Sequence, residues 1–141
     1  VRTVRLFAAK RSENARGASG RLDRWHRIAL EACKQSGRRV VPEVRVDHDL
    51  PGPPGVRAAG WVLDPHGEAV PVGEALAGPA PPAGVAIVIG PEGGLESSEV
   101  ARLVERGWRR VHLGPRVLRT ETAGVVAAAL ALHAWGDLGR V

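Results

Sequence analysis

The sequence predicts an α/β fold: a mainly parallel sheet with helices on both faces. Three observations carry that expectation. Short apolar runs alternate along the chain with segments whose apolar residues recur at helical spacing. The run Val85-Ala86-Ile87-Val88-Ile89 is continuous and β-branched, as in a strand covered on both faces. Two glycine-punctuated strings each follow an apolar run and precede a helical pattern, so they read as strand-to-helix loops beside a ligand crevice.

The elements follow in order. Val1 to Ala9 alternates loosely and reads as a strand, and the polar stretch Lys10 to Gly20 reads as an exposed loop. Leu22, Trp25, Ile28, Ala29, Ala32 and Cys33 then recur at helical spacing, and Gly37 before Arg38-Arg39 is a stop signal. Val40 to Val46 reads as a strand, with Pro42 limiting its ladder bonds. Pro51-Gly52-Pro53-Pro54-Gly55 is a breaker, Ala58 to Leu63 a strand, and Asp64-Pro65-His66-Gly67 a turn. After the strand at Val85, Val100, Leu103 and Val104 mark a helix ended by Gly107. Val111-His112-Leu113 is a short strand, and Thr122 to Trp135 a small-residue apolar helix stopped by Gly136.

At 141 residues the chain suits one domain able to bury a core, and 44% hydrophobic residues argue against disorder. No apolar run approaches the ~20 residues that span a bilayer, and Val1-Arg2-Thr3-Val4 is not a signal peptide. The single cysteine, Cys33, cannot form an internal disulfide and fits a reducing cytosol. The net charge is +5, but its distribution is more telling. Residues 1–45 hold twelve Lys and Arg against four acids, whereas residues 46–141 hold eight against eleven. A basic surface confined to the first third suits a polyanion. Eighteen of the twenty cations are arginine, which grips phosphate bidentately, although base composition of the genome also drives arginine up.

The two strings carry the chemistry. In Ile89-Gly90-Pro91-Glu92-Gly93-Gly94, glycines let a ligand approach the main chain and Pro91 stiffens the loop. The second string is Leu113-Gly114-Pro115-Arg116-Val117-Leu118-Arg119-Thr120-Glu121-Thr122-Ala123. Neither is a G-x-G-x-x-G or a G-x-x-x-x-G-K-[ST] fingerprint. Glu92 either holds its own loop or acts on substrate. Arg119 can pair with Glu121 or Glu92 or stay free for a ligand, and Thr120 or Thr122 can cap the last helix. His26, His48, His66, His112 and His133 have no metal-ligand spacing.

Together the strings resemble the cofactor loops of the SPOUT methyltransferases, and more narrowly the RsmE family, which methylates N3 of a uridine in 16S ribosomal RNA. Arg24-Trp25-His26-Arg27-Ile28-Ala29-Leu30-Glu31-Ala32-Cys33-Lys34-Gln35-Ser36-Gly37-Arg38 resembles the family's R-W-x-x-I-x-x-E-A-x-x-Q-S-x-R helix, and Lys10-Arg11-Ser12 its E-R-S stretch. The resemblance implies S-adenosylmethionine as cofactor, lined by Ile89, Gly90, Pro91, Gly93, Gly94, Leu113, Gly114, Leu118, Arg119 and Thr122. It implies catalysis by Arg119, Glu92 or Glu121, and RNA contacts from Arg11, Arg24, Gln35 and Arg38. The general base is open between Glu92, Glu121 and backbone carbonyls of the loops.

It further implies a C-terminal trefoil knot, a cytoplasmic homodimer acting on the 16S rRNA of the small ribosomal subunit, and no metal. The whole of 1–141 then reads as the methyltransferase domain. A first strand and helix, and an N-terminal β-barrel RNA-binding domain, are expected to precede it. The family usually has Ser where this chain has Glu96, so the cap of that helix is expected to shift to Ser97. A non-catalytic RNA-binding module of the same fold, or a SPOUT enzyme with another RNA target, are the alternatives.

Overall fold

A computed structural model describes residues 1–12, 19–136 and 138–139, so the loop expected over 10–20 falls partly outside the described residues. The chain divides into two compact units, Val1–Leu50 and Pro51–Val141.

In the first unit, β1 (Thr3–Phe7) and β2 (Glu43–Asp47) pair in parallel, joined through α1 (Leu22–Ser36). Residues 22–36 contain neither Gly nor Pro, and Leu22, Trp25, Ala29 and Cys33 line the inward stripe of the helix. Gly37 ends it at φ 69°, where the Arg38 N–H donates to the Cys33 carbonyl at 3.0 Å. The His26 Nε2–H donates to the Val44 carbonyl at 3.1 Å, fastening α1 to β2. Cys33 is buried beneath the helix. The register sets Arg5 opposite Arg45, a like-charge pair. Each is neutralised by a carboxylate of β2: Arg5 by Asp47 at 2.7 Å and Arg45 by Glu43 at 2.6 Å.

The second unit holds β3 (Ala59–Leu63), β4 (Val70–Pro71), α2 (Val72–Leu76), β5 (Val85–Ile89), α3 (Ser97–Glu105), β6 (Arg109–His112) and α4 (Thr120–Trp135). Its sheet has the order β4-β6-β3-β5, with every pairing parallel. The parallel α/β architecture expected from the sequence is borne out. The doubly covered strand is β3, however, not β5. Trp61 and Val62 are essentially inaccessible, while among the described residues β5 borders only β3 and buries Val88 alone.

Trp61 and Val111 pack against Ala131 of α4, and Trp135 lies on Trp61 with ring centroids 5.7 Å apart. α4 approaches β5 closely through a glycine: a Cβ at Gly124 would stand 3.0 Å from Ile89 Cδ1. On the opposite, alternate side of β3, Gly60 admits Pro54 and the Trp108 ring. The breaker segment is tied down there. Trp108 Nε1–H donates to the Gly52 carbonyl at 2.8 Å and Arg106 to the Pro51 carbonyl at 2.8 Å. Both caps differ from expectation. Glu96, not Ser97, is the N-cap of α3, in a reciprocal box with the buried Glu99. α4 begins two residues early, on Arg119 as N-cap, with no side-chain cap from Thr120 or Thr122.

Candidate functional site

Register brings the loops together. Leu63 pairs with Ile89 on one side and with Val111 on the other. The segments that follow β3, β5 and β6 therefore leave one edge of the sheet side by side, at the strands' carboxyl ends. That is where parallel sheets bind ligands.

The loop after β5 folds back on itself. The Gly94 N–H donates to the Pro91 carbonyl at 2.8 Å, and Gly94 adopts φ 71°. Gly90 is crowded by this return: a Cβ there would lie 3.0 Å from the Leu95 backbone nitrogen and 3.1 Å from Leu95 Cγ. Ile89, Gly90, Pro91 and Gly94 are half-buried, while Glu92 and Gly93 form the exposed tip.

The second loop, Leu113 to Arg119, starts from β6. The Gly114 N–H donates to His112 Nδ1 at 3.2 Å, and Gly114 takes φ 134°. Its far end lies at the first loop, where the Thr120 hydroxyl donates to the Gly90 carbonyl at 2.9 Å. Because β3 stands between β6 and β5, the segment crosses the end of β3, a span of roughly 10 Å or two strand spacings. Leu113 and Leu118 are half-buried along it, and Pro115, Arg116 and Val117 are exposed. Arg119, Glu121 and Thr122 are exposed where α4 begins. No described carboxylate lies within ion-pair distance of Arg119, so the alternative of a pairing with Glu121 or Glu92 is not formed.

Between the two glycine loops stands a third segment that sequence reading took only for a turn. The Asp64 N–H donates to the Val111 carbonyl, and Asp64 Oδ1 accepts from the His66 N–H. Its Oδ2 takes both Nε and Nη2 of Arg110, at 3.1 and 2.8 Å, while Nη2 also reaches the His66 carbonyl. Gly67 takes φ 68°, which favours glycine, and the Arg110 guanidinium lies where a Cβ would stand. Gly124 is a second residue with a neighbour close to where a Cβ would stand. Its signal is a glycine inside a helical pattern, which marks a close approach.

The residues expected to contact RNA lie in the first unit. Arg24 and Gln35 are exposed on α1, Arg38 just beyond its C-cap, and Arg11 after β1. Lys34 of the same helix is paired with Glu31 at 2.8 Å. Among the described residues no three His, Cys, Asp or Glu side chains gather as a metal site. No helix among them is long and apolar enough to cross a membrane.

A family model described as an RNA methyltransferase domain matches residues 1–132. The chain belongs to that family. Its relatives narrow the likeness. It is 38% identical to a ribosomal RNA small subunit methyltransferase E of Mycobacterium bovis, over 75% of this chain and 42% of the relative. It is 37% identical to the Bacillus subtilis protein of the same name, over 78% of this chain and 46% of that protein. A crystal structure of a ribosomal RNA small subunit methyltransferase E from Neisseria gonorrhoeae, bound to S-adenosyl methionine, superposes with TM-score 0.83 at 33% identity, covering 97% of this chain and 56% of that one. This RNA methyltransferase domain thus spans about half the length of the curated relatives it matches. The RsmE resemblance drawn from the two loops and the α1 segment is borne out.

Proposed function

We propose that this chain is a SPOUT-type methyltransferase domain that uses S-adenosylmethionine to methylate N3 of a uridine in 16S ribosomal RNA of the small subunit, in the cytoplasm. The observation that carries the reading is the meeting of the two glycine loops at the carboxyl edge of β5 and β6, across the end of β3. The edge suits the cofactor. Gly94 and Gly114 have open space where a Cβ would stand. Half-buried Ile89, Leu113 and Leu118 offer apolar walls beside backbone N–H and C=O groups able to read an adenine edge.

S-adenosylmethionine, when bound, supplies an electrophilic methyl group. The residues supply the rest. The loops hold the reacting nitrogen in line at ~3–3.5 Å. Arg119, exposed and without a described carboxylate partner, orients the base or holds its phosphate. The N3 proton passes to the carboxylate of Glu92 at the first loop's tip or of Glu121 in the first turn of α4, or a loop carbonyl accepts a hydrogen bond from N3–H as the proton leaves to solvent. Arg11, Arg24, Gln35 and Arg38 contribute RNA contacts, chiefly to phosphate. The reading also includes the trefoil knot, with Leu113 to Arg119 as the threaded segment, and a homodimer. Supporting the dimer, α4 is apolar or small on nearly every face, yet leaves Val125 71% and Leu132 40% exposed.

Calorimetric titration of the chain with S-adenosylmethionine, with ATP and NAD as controls, tests the reading. Saturable binding of S-adenosylmethionine alone is expected, and a folded chain that does not bind it overturns the proposal. Transfer of a labelled methyl group to small ribosomal subunits, followed by nucleoside identification, tests the target. A product other than N3-methyluridine replaces it with another RNA substrate.

A further inference from the structure

We infer that Thr120 is a positioning residue for the cofactor site: its hydroxyl latches the landing point of the crossing segment onto the Gly90 carbonyl and so sets the distance between the two glycine loops. The inference rests on the functional reading above and assigns a role to a side chain that the sequence offered only as a helix cap.

Thr120 is the first residue of α4 and sits beside an N-cap without a side-chain bond. The side chain that would satisfy the helix's first-turn N–H groups is the one at the cap, Arg119, and the Thr120 hydroxyl is one position past it. The half-buried hydroxyl donates at 2.9 Å to a carbonyl thirty residues earlier in the chain. The carbonyl it holds belongs to Gly90, whose position is already fixed on the other side by Leu95. Four residues on, one helical turn away on the same face, Gly124 lets α4 close onto Ile89. Thr120 and Gly124 therefore act on consecutive residues of one strand end, Ile89 and Gly90. Gly124 sets how near the helix comes, and the hydroxyl sets where along the strand it stops. The crossing segment is fastened at both ends, by His112 to Gly114 at its start and by Thr120 at its finish, with exposed Pro115 to Val117 between.

Without the hydroxyl bond, the loops remain but their spacing is no longer fixed. A ligand touching both must then order them on binding, and its affinity falls. Losing one neutral hydrogen bond corresponds to roughly three- to tenfold.

The test compares Thr120→Val, isosteric but without the hydroxyl, Thr120→Ala, and Thr120→Ser, which keeps it. Each is titrated calorimetrically with S-adenosylmethionine well below its unfolding midpoint. Trp108→Phe, which loses a hydrogen bond away from the loops, serves as a stability comparator. The expected result is a roughly three- to tenfold weaker Kd for both Val and Ala, with Ser within about twofold of wild type and Trp108→Phe unchanged. The inference is overturned if Val binds as wild type does, if only Ala weakens (packing, not the hydroxyl, is then the cause), if Ser loses as much as Val, or if Trp108→Phe weakens in proportion to its lost stability. A wild-type chain that binds no S-adenosylmethionine defeats the functional reading instead, and is recognised before any variant is made.

Discussion

Gly90→Ala isolates one property of the first loop, its lack of room. Gly90 does not occupy the left-handed region, so an alanine there carries no backbone penalty of its own. The penalty is steric. The new methyl would lie 3.0 Å from the Leu95 nitrogen, 3.1 Å from Leu95 Cγ and 3.3 Å from the Gly94 carbonyl carbon. Two of the three neighbours are backbone and cannot turn aside, so the loop itself must open. Overpacking of this kind costs about 1–3 kcal/mol. Opening also moves Pro91 to Gly94 away from the edge, so affinity for S-adenosylmethionine should fall at least tenfold, which is about 1.4 kcal/mol. Two other glycines calibrate the measurement. Gly94→Ala meets no neighbour within 4 Å but must hold φ 71°, which costs about 1–2 kcal/mol through the backbone alone. Gly73→Ala, inside α2 with open space around it and no positive φ, should stabilise by up to about 1 kcal/mol. Denaturant unfolding and calorimetry on the three variants are the assays. A Gly90→Ala chain that unfolds and binds like wild type would mean that the return of the loop is slack, and would refute the steric reasoning.

Arg119→Ala should lower methyl transfer to small ribosomal subunits by roughly 10²-fold or more while leaving the fold intact; unchanged transfer removes Arg119 from the mechanism. Asp64→Asn, which replaces the charged oxygen that takes two guanidinium N–H groups of Arg110 with a neutral group, should cost about 1–2 kcal/mol in denaturant unfolding; a smaller loss than about 0.5 kcal/mol would mark the turn as self-supporting. Binding to small-subunit RNA should weaken steeply with salt. Arg24→Ala and Arg38→Ala should each reduce the log–log slope by about 1, and a slope unaltered by either would move the RNA surface elsewhere.

The loops were legible because their chemistry is local. A glycine string after an apolar run reads the same in a sequence as in a structure, and Gly37 likewise ended α1 as expected. What escaped depends on register. Nothing local says that Leu63 stands opposite both Ile89 and Val111, so the Asp64 turn could not be seen as the wall between the two loops. Arg110 could not be assigned to Asp64 for the same reason. The run Val85 to Ile89 has the composition of a strand covered on both faces, yet among the described residues it pairs with β3 alone and buries only Val88, since composition does not report which neighbours a strand finds. β4 and α2 are too short to show a period. The caps were misjudged for a different reason. Glu96 is long enough to reach its own first turn, and α4 starts at Thr120, which puts that threonine one residue past the cap with its hydroxyl donating to the Gly90 carbonyl.

The uniformly parallel pairing has a kinetic consequence. No strand of either sheet finds its partner across a hairpin: Thr3 waits for Glu43, Ala59 for Val85, and Trp61 for Arg109. Each pairing requires a long loop to close before any ladder bond rewards it, so contact order is high and refolding should be slow for a chain of this length. β3 gains its second neighbour, and β4 its partner, only once β6 has been synthesised. Until then its Trp61-Val62-Leu63 edge is open to other chains. Heterologous expression should therefore gain more from lowered temperature or added chaperone than from any substitution on the surface.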